Sequence, residues 1–264
     1  SVKDLYLQIS SMGNEKPDIV EGNDLPDFNP DDEYLQEIKS PIFYAVQKNI
    51  NIQTGQPTIL DFDMQRISQR INIVFNIRTE GNIKREDLAA PIIELSGACG
   101  RFNIADACLD TTRLYRMAHQ VQPDEFTQTG EGTYRCVVHF HTLGVIPSAA
   151  KGHLNGPGIL QVALQVSTPQ LDSSGAPVVD EEGNPVKNSR YIYGAINPYD
   201  ELTAAQLIEV RDGKIYLRYS KEDVNIEITT PLVIKADQIV PNDTGMGWQP
   251  HDPTNPDDDI IIEI

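Results

Sequence analysis

The chain has 264 residues, and its 39 acidic and 21 basic side chains give a formal net charge of −18 at pH 7. So acidic a surface repels phosphate backbones and anionic headgroups, which argues against nucleic-acid binding and against electrostatic adhesion to membranes. The length suits one large domain or two ordinary ones. No apolar run approaches the roughly 18 residues of a membrane-spanning helix.

The chain begins at Ser1, without a methionine and inside an expected strand over residues 1–12. Such a start is typical of a trimmed mature form whose signal peptide has been removed. An acidic, proline-spaced stretch follows over residues 13–40 and predicts a long solvated loop. Residues 41–52 then indicate extended chain, and residues 54–57 a turn.

The most regular pattern lies between Arg66 and Thr79. Its apolar side consists of Ile67, Ile71, Ile73, Phe75 and Ile77, and its polar side of Ser68, Arg70, Asn72, Asn76 and Arg78, with Val74 as the exception. A helix would also group some of these residues, but the isoleucine content and the intervening asparagines favour a strand. We therefore predict a half-buried core strand with one solvated face.

Shorter alternating segments fill the rest of the chain. They lie at residues 92–95, 134–143, 160–166, 191–196, 208–210, 215–219, 224–228 and 232–235. Asp212-Gly213 is a strong signal for a two-residue hairpin, and residues 172–187 indicate a protruding hairpin or loop. Many short strands with little helix predict an all-β sandwich class. Because each half has its own run of strands, we expect two domains, residues 1–130 and 131–264.

The C-terminus combines a polar, Pro/Gly-rich tail over residues 241–259 with a final apolar strand. An apolar strand at a terminus is an aggregation hazard unless it pairs with another strand. It either adds to its own sheet or is lent to a neighbouring molecule. In the second case Ile260, Ile262 and Ile264 enter a groove, and Ile261 and Glu263 face outward. The donor-strand candidates are Ile260, Ile261, Ile262 and Ile264.

Motifs for chemistry are sparse. The chain has no Gly-x-Ser-x-Gly elbow, P-loop or Gly-x-Gly-x-x-Gly turn. His139 and His141 have a metal-ligand spacing, and His153 follows, but the glutamate expected after the second histidine is missing. We expect solvent- or interface-facing histidines, and predict no catalytic residue, no metal and no cofactor.

Three cysteines leave at least one thiol unpaired. Cys99 and Cys108 flank a compact turn and could form a disulfide. Cys136 alternates with apolar neighbours and is expected to be buried.

The order of these features is more specific than any single one. Pro41-Ile-Phe-Tyr-Ala precedes Arg66-Ile-Ser-Gln-Arg-Ile-Asn-Ile-Val-Phe-Asn-Ile, and then come Ile92-Ile-Glu-Leu-Ser-Gly, Tyr134-Arg-Cys-Val-Val-His-Phe-His-Thr-Leu-Gly and the Asp212-Gly213 hairpin. This order resembles the fimbrillin-type proteins of Bacteroidia, the pilins and anchors of type V fimbriae, over most of residues 40–240. The arginines that precede the main alternation, Arg66 and Arg70, match the tendency of that family. The segments 13–40 and 172–187 have no counterpart in it.

The resemblance implies two transthyretin-like β-sandwich domains in tandem. It implies export as a lipoprotein, with the acylated cysteine upstream of Ser1, and a location at the cell surface, in the outer membrane or the fimbrium. It further implies a structural, non-enzymatic role in cell adhesion, with strand exchange between fimbrial subunits and a host protein or glycan as a further partner. The alternative is a glycan-binding surface lipoprotein of the same fold, with Trp248 as its exposed aromatic platform.

Overall fold

The computed structural model describes residues 5–9, 34–52, 54–81, 83–218 and 223–251. These form a short 3₁₀ turn, Arg85–Asp87, one α-helix, α1 (Tyr199–Ala205), and strands β1 (Tyr6–Gln8), β2 (Phe43–Tyr44), β3 (Gln65–Arg66), β4 (Gln69–Glu80), β5 (Ile92–Asn103), β6 (Cys108–Gln120), β7 (Phe126–Gly130), β8 (Thr133–Thr142), β9 (Leu160–Pro169), β10 (Lys187–Ile196), β11 (Ile208–Arg211), β12 (Lys214–Leu217), β13 (Asp223–Lys235), β14 (Gln238–Val240) and β15 (Gln249–Pro250). The predicted all-β class is confirmed. No helix in the described ranges has the length and apolar character needed to cross a membrane.

The strands form two main sheets that share a large apolar core. The larger sheet has the order β11-β12-β6-β5-β9-β10-β15, with β1 also paired to β5, and the smaller has the order β14-β13-β4-β8-β7. Strands β2 and β3 form a separate two-stranded hairpin. One cluster of buried side chains joins β4, β8 and β13 of the smaller sheet to β5, β9 and β10 of the larger one. The two sheets therefore pack as a β-sandwich.

Strand β4 confirms the main prediction from the sequence. Ile71, Ile73, Phe75 and Ile77 are fully buried, and the alternate residues are exposed or partly exposed. Strand β8 pairs with β4 antiparallel, and β13 pairs with it parallel on the other side. The parallel pair joins distant parts of the chain: Asn72 Nδ2 donates to Asn225 Oδ1 at 2.8 Å, across 153 positions.

The sheets do not follow the domain division predicted at residue 130. Strands β4 and β5 precede that residue, β8, β9 and β13 follow it, and both sheets combine strands from the two sides. Residue 130 itself lies at the turn of the β7–β8 hairpin. A boundary there would separate hydrogen-bonded strands. The sequence did not show this, because pairing between distant segments leaves no mark on local alternation. Two tandem transthyretin-like domains are not confirmed.

Two turn predictions can be compared with the structure. Asp212 and Gly213 connect β11 to β12 with φ values of 50° and 72°, as a type I′ hairpin turn requires, so that prediction is confirmed. The segment 172–187 forms two successive exposed turns between β9 and β10. Asp172 Oδ1 accepts the Ala176 N–H at 2.9 Å in the first turn, and Asp180 Oδ1 accepts the Asn184 N–H at 2.8 Å in the second.

The three cysteines are buried and free, so Cys99 and Cys108 form no disulfide. In the register of β5 and β6, Cys99 lies opposite Leu114 and Cys108 opposite Asn103. Burial raises the pKa of the Cys99 thiol to about 12, and it remains protonated near neutral pH. The predicted burial of Cys136 is confirmed.

Candidate functional site at two open sheet edges

The first open edge belongs to the larger sheet. Strand β10 pairs with β9 along its whole length. On its other side β15 pairs only with Gly194 and Ala195. Within the described residues, no strand covers that side of residues 187–192.

The chain reaches this edge just before the described residues end. The His251 N–H donates to the Tyr193 carbonyl at 3.1 Å, which extends the β15 pairing by one residue. In an antiparallel pair, alternate residues direct their N–H and C=O groups to the same side. Ser189 therefore presents its N–H and C=O groups on the side away from β9, where an added strand could pair with them.

The open edge of β10 carries two cationic side chains, each paired with a carboxylate. Lys187 Nζ lies 2.7 Å from Asp87 Oδ1, and this hydrogen bond raises the lysine pKa. Burial alone would raise the pKa of Asp87, but the bonds from Lys187 and from the Lys84 N–H outweigh it and lower that pKa. The Arg190 guanidinium donates to the Asp237 carbonyl at 2.9 Å and also contacts its carboxylate.

The second open edge belongs to the smaller sheet. Strand β14 pairs only with Val233–Lys235, at the end of β13. The earlier part, residues 223–229, has no strand on that side among the described residues. Helix α1 lies alongside, and a groove of about 450 Å³ separates it from the start of β13.

The groove beside β13 combines apolar and acidic lining residues, and its apolar side chains on the strand, Val224 and Ile226, are directed mostly into the core. Ala204 and Ala205 line it from α1, and Val224 and Ile226 line it from the strand. Its other lining residues are Asn225 and the acidic Glu201, Asp223 and Glu227. Arg66 Nη2 lies 3.6 Å from Asp223 Oδ1, so the acidic character of the groove comes mainly from Glu201 and Glu227, and it favours an extended segment that lacks carboxylates.

Between β2 and β3 the chain extends away from the sandwich. We call residues 46–64 the arm; its described residues are all exposed. Strand pairing at its base ends with Tyr44 and Gln65. Among the described residues, seven of the 13 large exposed hydrophobic side chains lie in the arm: Val46, Ile50, Ile52, Ile59, Leu60, Phe62 and Met64. Exposed apolar surface concentrated in one segment is typical of a contact with another molecule.

The three histidines singled out in the sequence, His139, His141 and His153, do not form a common site. His139 Nδ1 is 2.6 Å from Asn72 Oδ1, and burial lowers the His139 pKa. His141 was expected to face solvent or an interface, but it is buried within its own chain, with Nε2 3.0 Å from Ser68 Oγ. His153 is exposed, as expected.

Sequence analysis missed the contact of His119 and His139 with one carboxylate, because Glu125 lies in the turn between β6 and β7, outside the alternating pattern of either strand. His119 Nε2 lies 3.0 Å from Glu125 Oε2, and His139 approaches the other oxygen of the same carboxylate. Burial would raise the pKa of Glu125, but the Gln122 N–H and His119 outweigh it and lower that pKa. No group of three or more candidate metal ligands occurs in the described part of the chain.

Trp248 is not an exposed aromatic platform. Its side chain is 1% exposed and its ring centroid lies 5.1 Å from that of Phe75. The indole N–H donates to the Thr230 carbonyl at 3.1 Å. The connection from β14 to β15 folds back over the core, which its Pro/Gly-rich composition did not indicate, so the glycan-platform interpretation is wrong.

The donor-strand candidates Ile260, Ile261, Ile262 and Ile264 lie outside the described residues. Their proposed role therefore stays a prediction. The structure places only the base of the tail, at the edge of β10.

Comparison with known proteins gives little further information. No family model and no curated protein matches the chain. One solved structure, of a proposed adhesin from Bacteroides ovatus, is 10% identical, with a TM-score of 0.35; the alignment covers 88% of this chain and 73% of that one. A similarity this low identifies neither the family nor the function of the chain.

Proposed function

We propose that this chain is a structural, non-enzymatic subunit or anchor of a cell-surface fimbria, and that it assembles by β-strand exchange. The observation that carries the proposal is the open edge of β10 beside the base of the C-terminal tail. Unpaired backbone groups at a sheet edge are satisfied when another strand is added. A subunit that offers an edge and carries a free strand can therefore join others of its kind.

The tail is the donor that this geometry favours. Strand β15 runs antiparallel to β10 and ends at its edge, beside His251. Residues 252–264 follow in the sequence. At about 3.3 Å per extended residue these span on the order of 40 Å, enough to reach a neighbouring molecule. A segment that meets an edge in its own chain also fits the same edge in an identical copy, as in domain swapping.

Charge supports the same pairing. The tail carries Asp257, Asp258 and Asp259 before its isoleucines. The edge of β10 carries Lys187 and Arg190. The attraction between the aspartates and these cations is small, because both cations already have acidic partners. It still favours the β10 edge over an edge that carries acidic side chains, which would repel the tail.

The remaining parts of the proposal come from the sequence resemblance. They are the location at the cell surface, the lipid anchor upstream of Ser1, and a role in adhesion with other fimbrial subunits as partners. The glycan-binding alternative loses its main support with the burial of Trp248.

Truncation after His251 tests the role of the tail. We expect the truncated chain to remain folded but to lose the tail-dependent oligomers that the full-length chain forms in size-exclusion chromatography with light scattering. Equal assembly of the two chains would contradict the proposal.

A second variant tests the edge itself. Ser189→Pro removes an N–H that faces away from β9, so it blocks strand addition and leaves the β9–β10 hydrogen bonds in place. Ser189→Ala is the matched control, because both variants lose the hydroxyl contact with Ser167. We expect only the proline variant to lose assembly.

A further inference from the structure

We propose that the first limb of the arm, residues 46–52, pairs with the open edge of β13 in a second copy of this chain and fills the groove beside α1. The inference rests on the proposed function in taking an identical subunit as the partner. It concerns a different segment and a different sheet edge from the tail and β10, so the two contacts can form together.

The first limb has the pattern of a strand without a core. Val46, Lys48, Ile50 and Ile52 alternate with Gln47, Asn49 and Asn51. Ile52 is 76% exposed, and no residue of the limb lines the groove in its own chain. A strand-like segment with both faces in solvent leaves its apolar face exposed, and contact with another molecule would bury that face.

Charge selects this limb over the other candidates. The groove presents Glu201, Asp223 and Glu227. The first limb has no carboxylate, and Lys48 is its one charged residue. The second limb, residues 57–64, carries two aspartates, and the tail is also acidic. Since like charges placed opposite each other weaken association, the first limb is the segment that fits.

The backbone of β13 offers the pairing groups. Its outer edge over residues 223–229 has no strand partner among the described residues, and beyond it the Thr230 carbonyl accepts the Trp248 N–H. Val224, Ile226 and Ile228 are directed into the core, while the exposed residues alternate with them. An added strand would extend the smaller sheet from β4 through β13 to the arm, with Val224 and Ile226 at the groove.

Two local features must change when the arm pairs. Asn49 has a φ of 60°, which an extended strand excludes, but asparagine adopts both conformations at low cost. The Lys48 ammonium donates to the Ala105 carbonyl at 3.2 Å, an exposed bond that is weak in water. Releasing it frees the lysine for the acidic side chains of the groove.

The contact is heterologous, because the arm and the groove are different surfaces. Repeated from copy to copy, it builds an open chain of subunits rather than a closed dimer. This is the geometry that a fibre requires.

Paired substitutions on the two limbs test the inference. Ile50→Ser with Ile52→Ser removes the apolar anchors of the first limb, and Ile59→Ser with Phe62→Ser does the same on the second. All four side chains are exposed, so both variants should fold normally. In sedimentation velocity we expect the first pair to weaken association about tenfold or more, and the second pair to change it by less than about twofold. Equal effects of the two pairs would overturn the inference.

Cross-linking identifies the partner surface. Copies carrying Asn225→Cys are mixed with copies carrying Ile50→Cys, and we expect a disulfide between the two chains under oxidising conditions. Copies with Ile59→Cys serve as the control and should not cross-link. The three native cysteines are buried, so they do not compete. A disulfide that forms within a chain carrying both changes, independent of dilution, would mean that the arm occupies its own groove and would overturn the proposal.

The two proposals fail separately. If truncation after His251 abolishes assembly while the first-limb variant assembles normally, strand exchange stands and the role of the arm is overturned. If the truncated chain still forms dimers that the first-limb variant loses, the arm contact is supported without the tail.

Discussion

Strand β4 and the first limb of the arm have the same sequence pattern and opposite environments. In β4 the apolar side chains from Ile71 to Ile77 are fully buried between the two sheets. In the arm Ile50 and Ile52 alternate with asparagines just as regularly, yet both are exposed. Alternation therefore predicts an extended, two-faced segment, and other parts of the chain decide whether a core covers one face.

The two segments differ also in their backbone partners. Strand β4 lies between β8 and β13, which satisfy its N–H and C=O groups on both sides. Strand pairing at the arm ends with Tyr44 and Gln65. Burial and backbone pairing stabilise β4 within one molecule. In our proposal the arm gains burial of its apolar face and backbone pairing from a second molecule.

The largest expected effect is in β4. Phe75→Ala should lower the free energy of unfolding by about 3–5 kcal/mol, because it removes a fully buried ring and leaves a cavity. Val74→Ala, on the partly exposed face of the same strand, is the control and should cost less than about 1.5 kcal/mol. Urea denaturation followed by circular dichroism measures both. Equal losses would mean that the alternation does not separate a buried face from a solvated one.

A smaller effect is expected where the C-terminal part of the chain covers that core. Trp248→Phe should cost about 1–3 kcal/mol, because the variant loses the bond to Thr230 and some packing against Phe75. Met246→Ala, two residues earlier and partly exposed, should cost less than that. A Trp248 variant as stable as the native chain would place the indole outside the core.

The smallest effect is expected in the arm. Ile52→Ser in the chain truncated after His251 should change the free energy of unfolding by less than about 0.5 kcal/mol, since the side chain has little to lose on exposure to water. Thermal unfolding at low protein concentration measures this without self-association. A loss above about 1 kcal/mol would show that the arm packs against its own molecule.

Local features were predictable from the sequence where local residues determine them. Strand β4 follows from ten alternating residues, and the β11–β12 hairpin follows from the backbone freedom of Asp212-Gly213. The partners of these elements were not predictable. Strand β13 pairs with β4 across 153 positions, and this pairing joins strands from the two sides of residue 130.

The candidate site was less predictable than the fold. Residues 41–52 were expected to be extended. Their own sequence does not show that Ile50 and Ile52 are exposed, because exposure depends on where the other strands lie. The burial of Trp248 depends on Phe75 and Thr230, neither of which is close in sequence. An open edge is a property of the completed sheet, so neither β10 nor β13 could be recognised as one from its own residues.

The parallel pairing of β4 with β13 bears on how the molecule folds. Contacts between residues so far apart require a large loop to close before they gain any stability, and such topologies fold slowly. During synthesis β13 emerges long after β4, 153 positions later at Asn72 and Asn225, so one side of β4 stays unpaired until β13 is made. In that interval the apolar face of β4 is open to wrong partners, and a helper that shields β4 would raise the yield of folded protein.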